Sequence, residues 1–149
     1  MTPVIEFHPP TALSRDKSSP FLHAVLETLE NEVDALHWSV LELNGRANIG
    51  SEFVEALENR VEDSNSGLKR TWAELLALAH SLDRLVDGVF VACRTGFFEA
   101  SDPEGKFDFE RCDLALEVND GKAWRLHVAA PALAERLRTR LQEAGWTLA

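Results

Sequence analysis

The sequence predicts an α+β fold: a two-layer sandwich in which a mostly antiparallel sheet of four to five strands is covered on one face by about four helices. Three observations predict it. Two glycine-bearing turn signals, Asp102-Pro103-Glu104-Gly105 and Asn119-Asp120-Gly121, punctuate alternating apolar residues and define a long three-stranded meander over 88–128. Four other segments repeat their apolar residues at helical spacing. Four helical stripes need an apolar sheet face to cover, and the meander supplies one.

Taken in order, residues 1–19 are punctuated by Pro3, Pro9 and Pro10 and by a polar stretch from Ser14 to Ser19; they read as poorly ordered chain or as an edge strand at Val4–Phe7. Ser19 then stands as an N-cap with Pro20 at the first helical position. Leu22, Val25, Leu26, Leu29 and Val33 make one helical face, and the helix ends between Asn31 and Asp34. A strand follows over 36–43, where Leu36, Trp38 and Val40 alternate while Leu41 and Leu43 imply burial on both sides; Asn44-Gly45 ends it. Ser51 opens a helix with Phe53, Val54, Leu57 and Val61 inward and four glutamates outward, broken by Asp63 to Gly67. A longer helix carries Leu68, Trp72, Leu75, Leu76, Ala79, Leu82 and Val86, and Asp87-Gly88 closes it. This helical crossover permits strand 36–43 to pair parallel with the strand at 88. The last helix has Pro131 in its first turn, Leu133, Leu137 and Leu141 inward, and Gly145 as a left-handed cap.

The turns set the meander's register. If Ser101 faces Lys106, then Cys93 opposes Leu114, Val91 opposes Leu116 and Val89 opposes Val118, all on one face. At the second turn, a two-residue Asp-Gly loop would set Val118 beside Ala123 and mix apolar with polar residues. A three-residue loop with Gly121 left-handed pairs Val118 with Lys122 and Leu116 with Trp124, keeping the faces separate. The strands then run 88–101, 106–118 and 122–128. The core face carries Val89, Val91, Cys93, Cys112, Leu114, Leu116, Val118, Trp124, Leu126 and Val128. The other face is mixed, and one of its rows reads Arg94, Asp113, His127.

At 149 residues and 45% hydrophobic, the chain is expected to form a single domain, 1–149, with one core. Cys93 and Cys112 read as buried reduced thiols, which suits a cytoplasmic protein. No signal peptide is legible, and no stretch approaches the ~18 apolar residues of a membrane span. The net charge of −10 is unevenly placed: residues 27–63 hold ten acids against two bases, whereas 121–149 hold five bases against two acids. Such a field argues against nucleic acid and anionic membrane and favours a basic protein partner, or self-association as a homodimer through the positive end.

Candidate chemistry is sparse. In the row Arg94, Asp113, His127 a carboxylate could orient the histidine as a general base, although cross-strand ion pairs explain the same residues and no nucleophile accompanies them. The five histidines lack metal-ligand spacing, no Cys-x-x-Cys occurs, and no metal or cofactor is expected. Asp108 or Asp113 followed by Glu117-Val118-Asn119 lacks the lysine of a nuclease-type site, and no phosphate-cradling glycine motif is present. Phe97, Phe98, Phe107 and Phe109 flank the first hairpin tip among acidic residues, an arrangement suited to docking. Arg136 and Arg140 stand four apart on the last helix, facing one way.

Size and acidity are shared with secretion chaperones and toxin-neutralising immunity proteins, but no motif carries that likeness and no residue is transferred from it. The expectation is a non-catalytic acidic interaction domain, adaptor-, chaperone- or inhibitor-like. It would use hairpin 95–110 with Phe97, Phe98, Phe107 and Phe109, together with Arg94, Arg125 and an open sheet face. The alternative is a small-molecule site or modest enzyme using His127, Asp113 and Arg94.

Overall fold

The computed structural model describes residues 3–8, 19–47, 67–97, 112–120 and 123–148, together with residue 60. Its elements run β1 (Val4–His8), α1 (Ser19–Val33), β2 (His37–Ala47), β3 (Leu68–Arg70), α2 (Trp72–Ser81), β4 (Leu82–Cys93), β5 (Leu114–Asn119), β6 (Ala123–Val128), α3 (Pro131–Glu143) and β7 (Thr147–Leu148). The strands form one seven-stranded sheet in the order β3-β2-β4-β5-β6-β1-β7, with every pair antiparallel. The fold is α+β as expected, with a larger sheet and, among the described residues, three helices instead of about four. The expected helix opening at Ser51 falls largely outside the described residues. None of the described helices is long and apolar enough to cross a membrane.

Helix α1 follows its apolar spacing closely: Leu22, Val25, Leu26, Leu29 and Val33 are all fully buried. Two indole hydrogen bonds hold its C-terminal end. Trp38 donates Nε1–H to the Val33 carbonyl at 3.1 Å, and Trp72 donates to Glu30 Oε1 at 3.0 Å. Helix α3 buries Ala134, Leu137 and Leu141, and Gly145 beyond it takes φ +95°, the left-handed turn its lack of a Cβ permits.

The long helix over 68–86 is corrected to a much shorter one. Thr71 caps α2 by accepting from the Glu74 N–H, while the Glu74 carboxylate accepts from the Thr71 N–H, so the helix begins at Trp72. At Leu82 the backbone becomes extended, and Leu82 and Leu85 are buried from strand β4. Both are apolar at positions that fit a helix or a strand, so spacing alone did not separate them. Strand β2 meets β4 antiparallel, not parallel. Its ladder shifts register between Val40 and Glu42, sending Leu41 to one face and Leu43 to the other. Strand β1 is not an edge, because β7 pairs beyond it.

The meander's register also needs correction. Phe90 opposes Leu116 and Ala92 opposes Leu114, one residue away from the expected pairing. Phe90 and Ala92 therefore join Leu114, Leu116, Val118, Trp124, Leu126 and Val128 under the helices, while Val89, Val91, Cys93 and Cys112 turn to the other face. The cause is that β4 is apolar on both sides over 88–93, as a central strand is, leaving no polar residue in the paired stretch to choose the face. The second hairpin pairs Val118 with Trp124 and Leu116 with Leu126, two residues from expectation, so each side chain keeps its face. The β4–β5 ladder ends at Ala92 and Leu114; residues 94–97 and 112–113 are not strand, and residues 98–111 lie outside the described residues.

Candidate functional site

The face turned away from the helices carries the chain's charged rows. One runs Glu42, Val89, Glu117, Arg125, Glu6 across β2, β4, β5, β6 and β1; the next runs Ser39, Val91, Ala115, His127, Val4. Its middle is dry, since Leu41, Val89, Val91, Cys93, Cys112 and Ala115 form a second buried cluster. The expected open sheet face is thus closed at its centre, and charge is confined to the flanks.

On those flanks the charges pair across strands. His127 Nε2 lies 3.6 Å from Glu117 Oε1, and Arg125 Nε lies 3.2 Å from Glu6 Oε1. Arg94 turns to Asp113: its backbone N–H donates to the carboxylate, and its guanidinium stands 3.6 Å away. The row Arg94, Asp113, His127 is therefore divided, with His127 in the row of Ala115 and its Nε2 beside the Glu117 carboxylate. Partial burial raises the Glu42 pKa above the usual carboxylate value, and the nearby charges of Asp87 and Glu117 raise it further, although the residue reaches solvent. Burial likewise raises the Cys93 thiol, partly offset by its hydrogen bond with Cys112; both cysteines are buried and neither forms a disulfide.

Of the four hairpin phenylalanines, Phe98, Phe107 and Phe109 lie outside the described residues. Phe97 is 37% exposed, with its ring 5.0 Å from that of His37 and the Lys69 ammonium 5.2 Å from its centroid. This edge combines an exposed aromatic with a cation and an imidazole.

At the other border of the sheet end, between α1 and α3, Glu32 binds both arginines of the last helix: Arg136 Nε at 3.2 Å and Arg140 Nη2 at 3.3 Å. A cavity of about 210 Å³ lies beside this bridge, its lining including Leu36, Leu133, Arg94, Asp113, Glu32 and Arg136.

Comparison with protein-family models, curated proteins and solved structures finds no match to this chain. The site is therefore read from its own geometry.

Sequence reasoning missed the Glu32 junction. The acid-rich stretch 27–63 and the i, i+4 arginines of the last helix were both legible, but nothing in their spacing showed that they meet within one chain. His23 and His80 were also scattered in sequence, yet their ring centroids lie 3.6 Å apart at a tilt of 46° between α1 and α2, with His23 Nε2 at 3.1 Å from Glu27. No group of three or more metal-ligating side chains occurs among the described residues.

Proposed function

We propose that the chain is a non-catalytic, acidic interaction domain that binds a basic protein partner through hairpin 95–110 and the charged flank of the second sheet face. The observation that carries this reading is Phe97, an aromatic left exposed beside Lys69 and His37 at the root of that hairpin. Exposed aromatics beside polar groups are what contact surfaces concentrate. The division of His127 from Asp113 supports binding over catalysis, since Asp113 faces Arg94 and His127 faces Glu117. The net charge of −10 favours a basic partner over nucleic acid or an anionic membrane. Two reduced, buried thiols fit a cytoplasmic setting. A homodimer is one form such a contact takes, with the basic C-terminal segment of one copy meeting the acidic flank of another.

Size-exclusion chromatography with light scattering tests the dimer, and photo-cross-linking from position 97 tests the partner. Both are run on wild type and on Phe98→Ser/Phe109→Ser. The proposal expects a discrete heavier species or cross-link that the double substitution removes. A monomer at every concentration, with no cross-link dependent on these phenylalanines, overturns it.

A further inference from the structure

The cavity at the sheet end is built for more than structural ion pairing. Arg136 spends Nε on Glu32, and among the described residues its terminal nitrogens make no hydrogen bond. The Arg94 guanidinium is 79% exposed, and its 3.6 Å approach to Asp113 is longer than a hydrogen bond, so its donors are likewise uncommitted among these residues. At the cavity the guanidinium groups of Arg94 and Arg136 stand beside the carboxylates of Asp113 and Glu32, while Arg140, outside the lining, takes the other oxygen of Glu32. Leu36 and Leu133 give the same cavity an apolar wall.

We propose that this cavity binds a small organic monocarboxylate, its anionic group held between Arg94 and Arg136 and its aliphatic end against Leu36 and Leu133. A planar guanidinium presents paired N–H donors that match a carboxylate, and two of them approach from different elements, β4's end and α3. The volume of about 210 Å³ is smaller than ordinary ligand pockets of roughly 300–1,000 Å³. It admits a short branched acid or the last residue of a peptide, not a nucleotide-sized cofactor. The inference is independent of the docking edge at Phe97.

The test is a two-dimensional amide NMR titration of the full chain. The probes are 4-methylpentanoate, its neutral amide 4-methylpentanamide, and acetyl-Ala-Leu with its C-terminus free or amidated. The proposal expects saturable shifts at residues 94, 113, 133 and 136 with a free carboxylate and none with the amides. Arg94→Gln, which removes only an exposed side chain, should weaken binding about tenfold or more, the usual loss for a charge-assisted hydrogen bond. Arg136→Gln should do the same, while Phe97→Ser should leave binding unchanged, so that failure here and failure of the docking proposal are told apart. Binding of 4-methylpentanoate assigns a free acid as ligand; binding of the peptide alone assigns a chain terminus. Absence of saturable shifts, equal shifts from acid and amide, or unaltered affinity in Arg94→Gln overturns the proposal.

Discussion

A Cβ placed on Gly88 would stand 2.7 Å from Cε2 of Phe90, two residues along the same strand. The fully buried Phe90 ring lies over the bare backbone of Gly88 and fills the space a side chain would take beneath the helices. Gly88→Ala is expected to destabilise the fold by about 1–3 kcal/mol, the range for overpacking a close-fitted core. Urea unfolding measures it, and Phe90→Leu in the same background should restore part of the loss. Additive losses would show that the two residues are not coupled.

Glu42 gives a pH-dependent prediction. Its folded pKa is raised above the ordinary 4.5, so the folded state holds this proton more tightly than the unfolded chain does. The contribution is fully present below pH 4.5 and is lost as pH rises through the raised folded value. Glu42→Gln imitates the protonated form and should stabilise the protein at neutral pH. Because the residue is exposed and water screens its neighbours, the gain should be about 0.2–1 kcal/mol. Thermal unfolding at pH 7 and pH 4 checks this, with the difference between variant and wild type shrinking at the lower pH.

Cys93 and Cys112 should react slowly with an aromatic disulfide reagent in the native state. Both are less than a tenth exposed, and burial disfavours the Cys93 thiolate that would attack. Two thiols per chain should become titratable on adding denaturant. Rapid native reaction of both would contradict their burial.

Phe97 separates stability from recognition. Phe97→Ser, at a 37% exposed site, should change unfolding free energy by no more than about 0.5 kcal/mol. The same substitution should diminish the heavier species seen by light scattering. A large loss of stability would place Phe97 in the structural framework of the fold.

The legible parts of the fold were those where one face is apolar and the other is not. Helix α1 announced itself through Leu22 to Val33, α3 through Leu137, Leu141 and the cap at Gly145, and β6 through Trp124, Leu126 and Val128. The illegible parts were apolar on both faces. In β4, Val89, Phe90, Val91 and Ala92 are all buried, so alternation could not say which side the helices cover. Leu82 and Leu85 fitted a continuing helix as well as a strand. Of the candidate residues, the approach of Arg94 to Asp113 was readable from strand proximity, whereas the exposure of Phe97 was not, because an aromatic near a turn fits a buried or an exposed position equally. The meeting of Glu32 with Arg136 and Arg140, more than a hundred residues apart in the chain, required the packing of α1 on α3.

The register of β5 between β4 and β6 carries the most weight: its one-residue offset against β4 turns Phe90 and Ala92 under the helices, and its two-residue offset against β6 divides His127 from Asp113. Cross-strand nuclear Overhauser contacts on isotope-labelled protein measure it directly. The expected result is pairing of Phe90 with Leu116, Ala92 with Leu114 and Ala115 with His127. Contacts pairing Val91 with Leu116, together with His127 against Asp113, would contradict it and return the three polar residues to a single row.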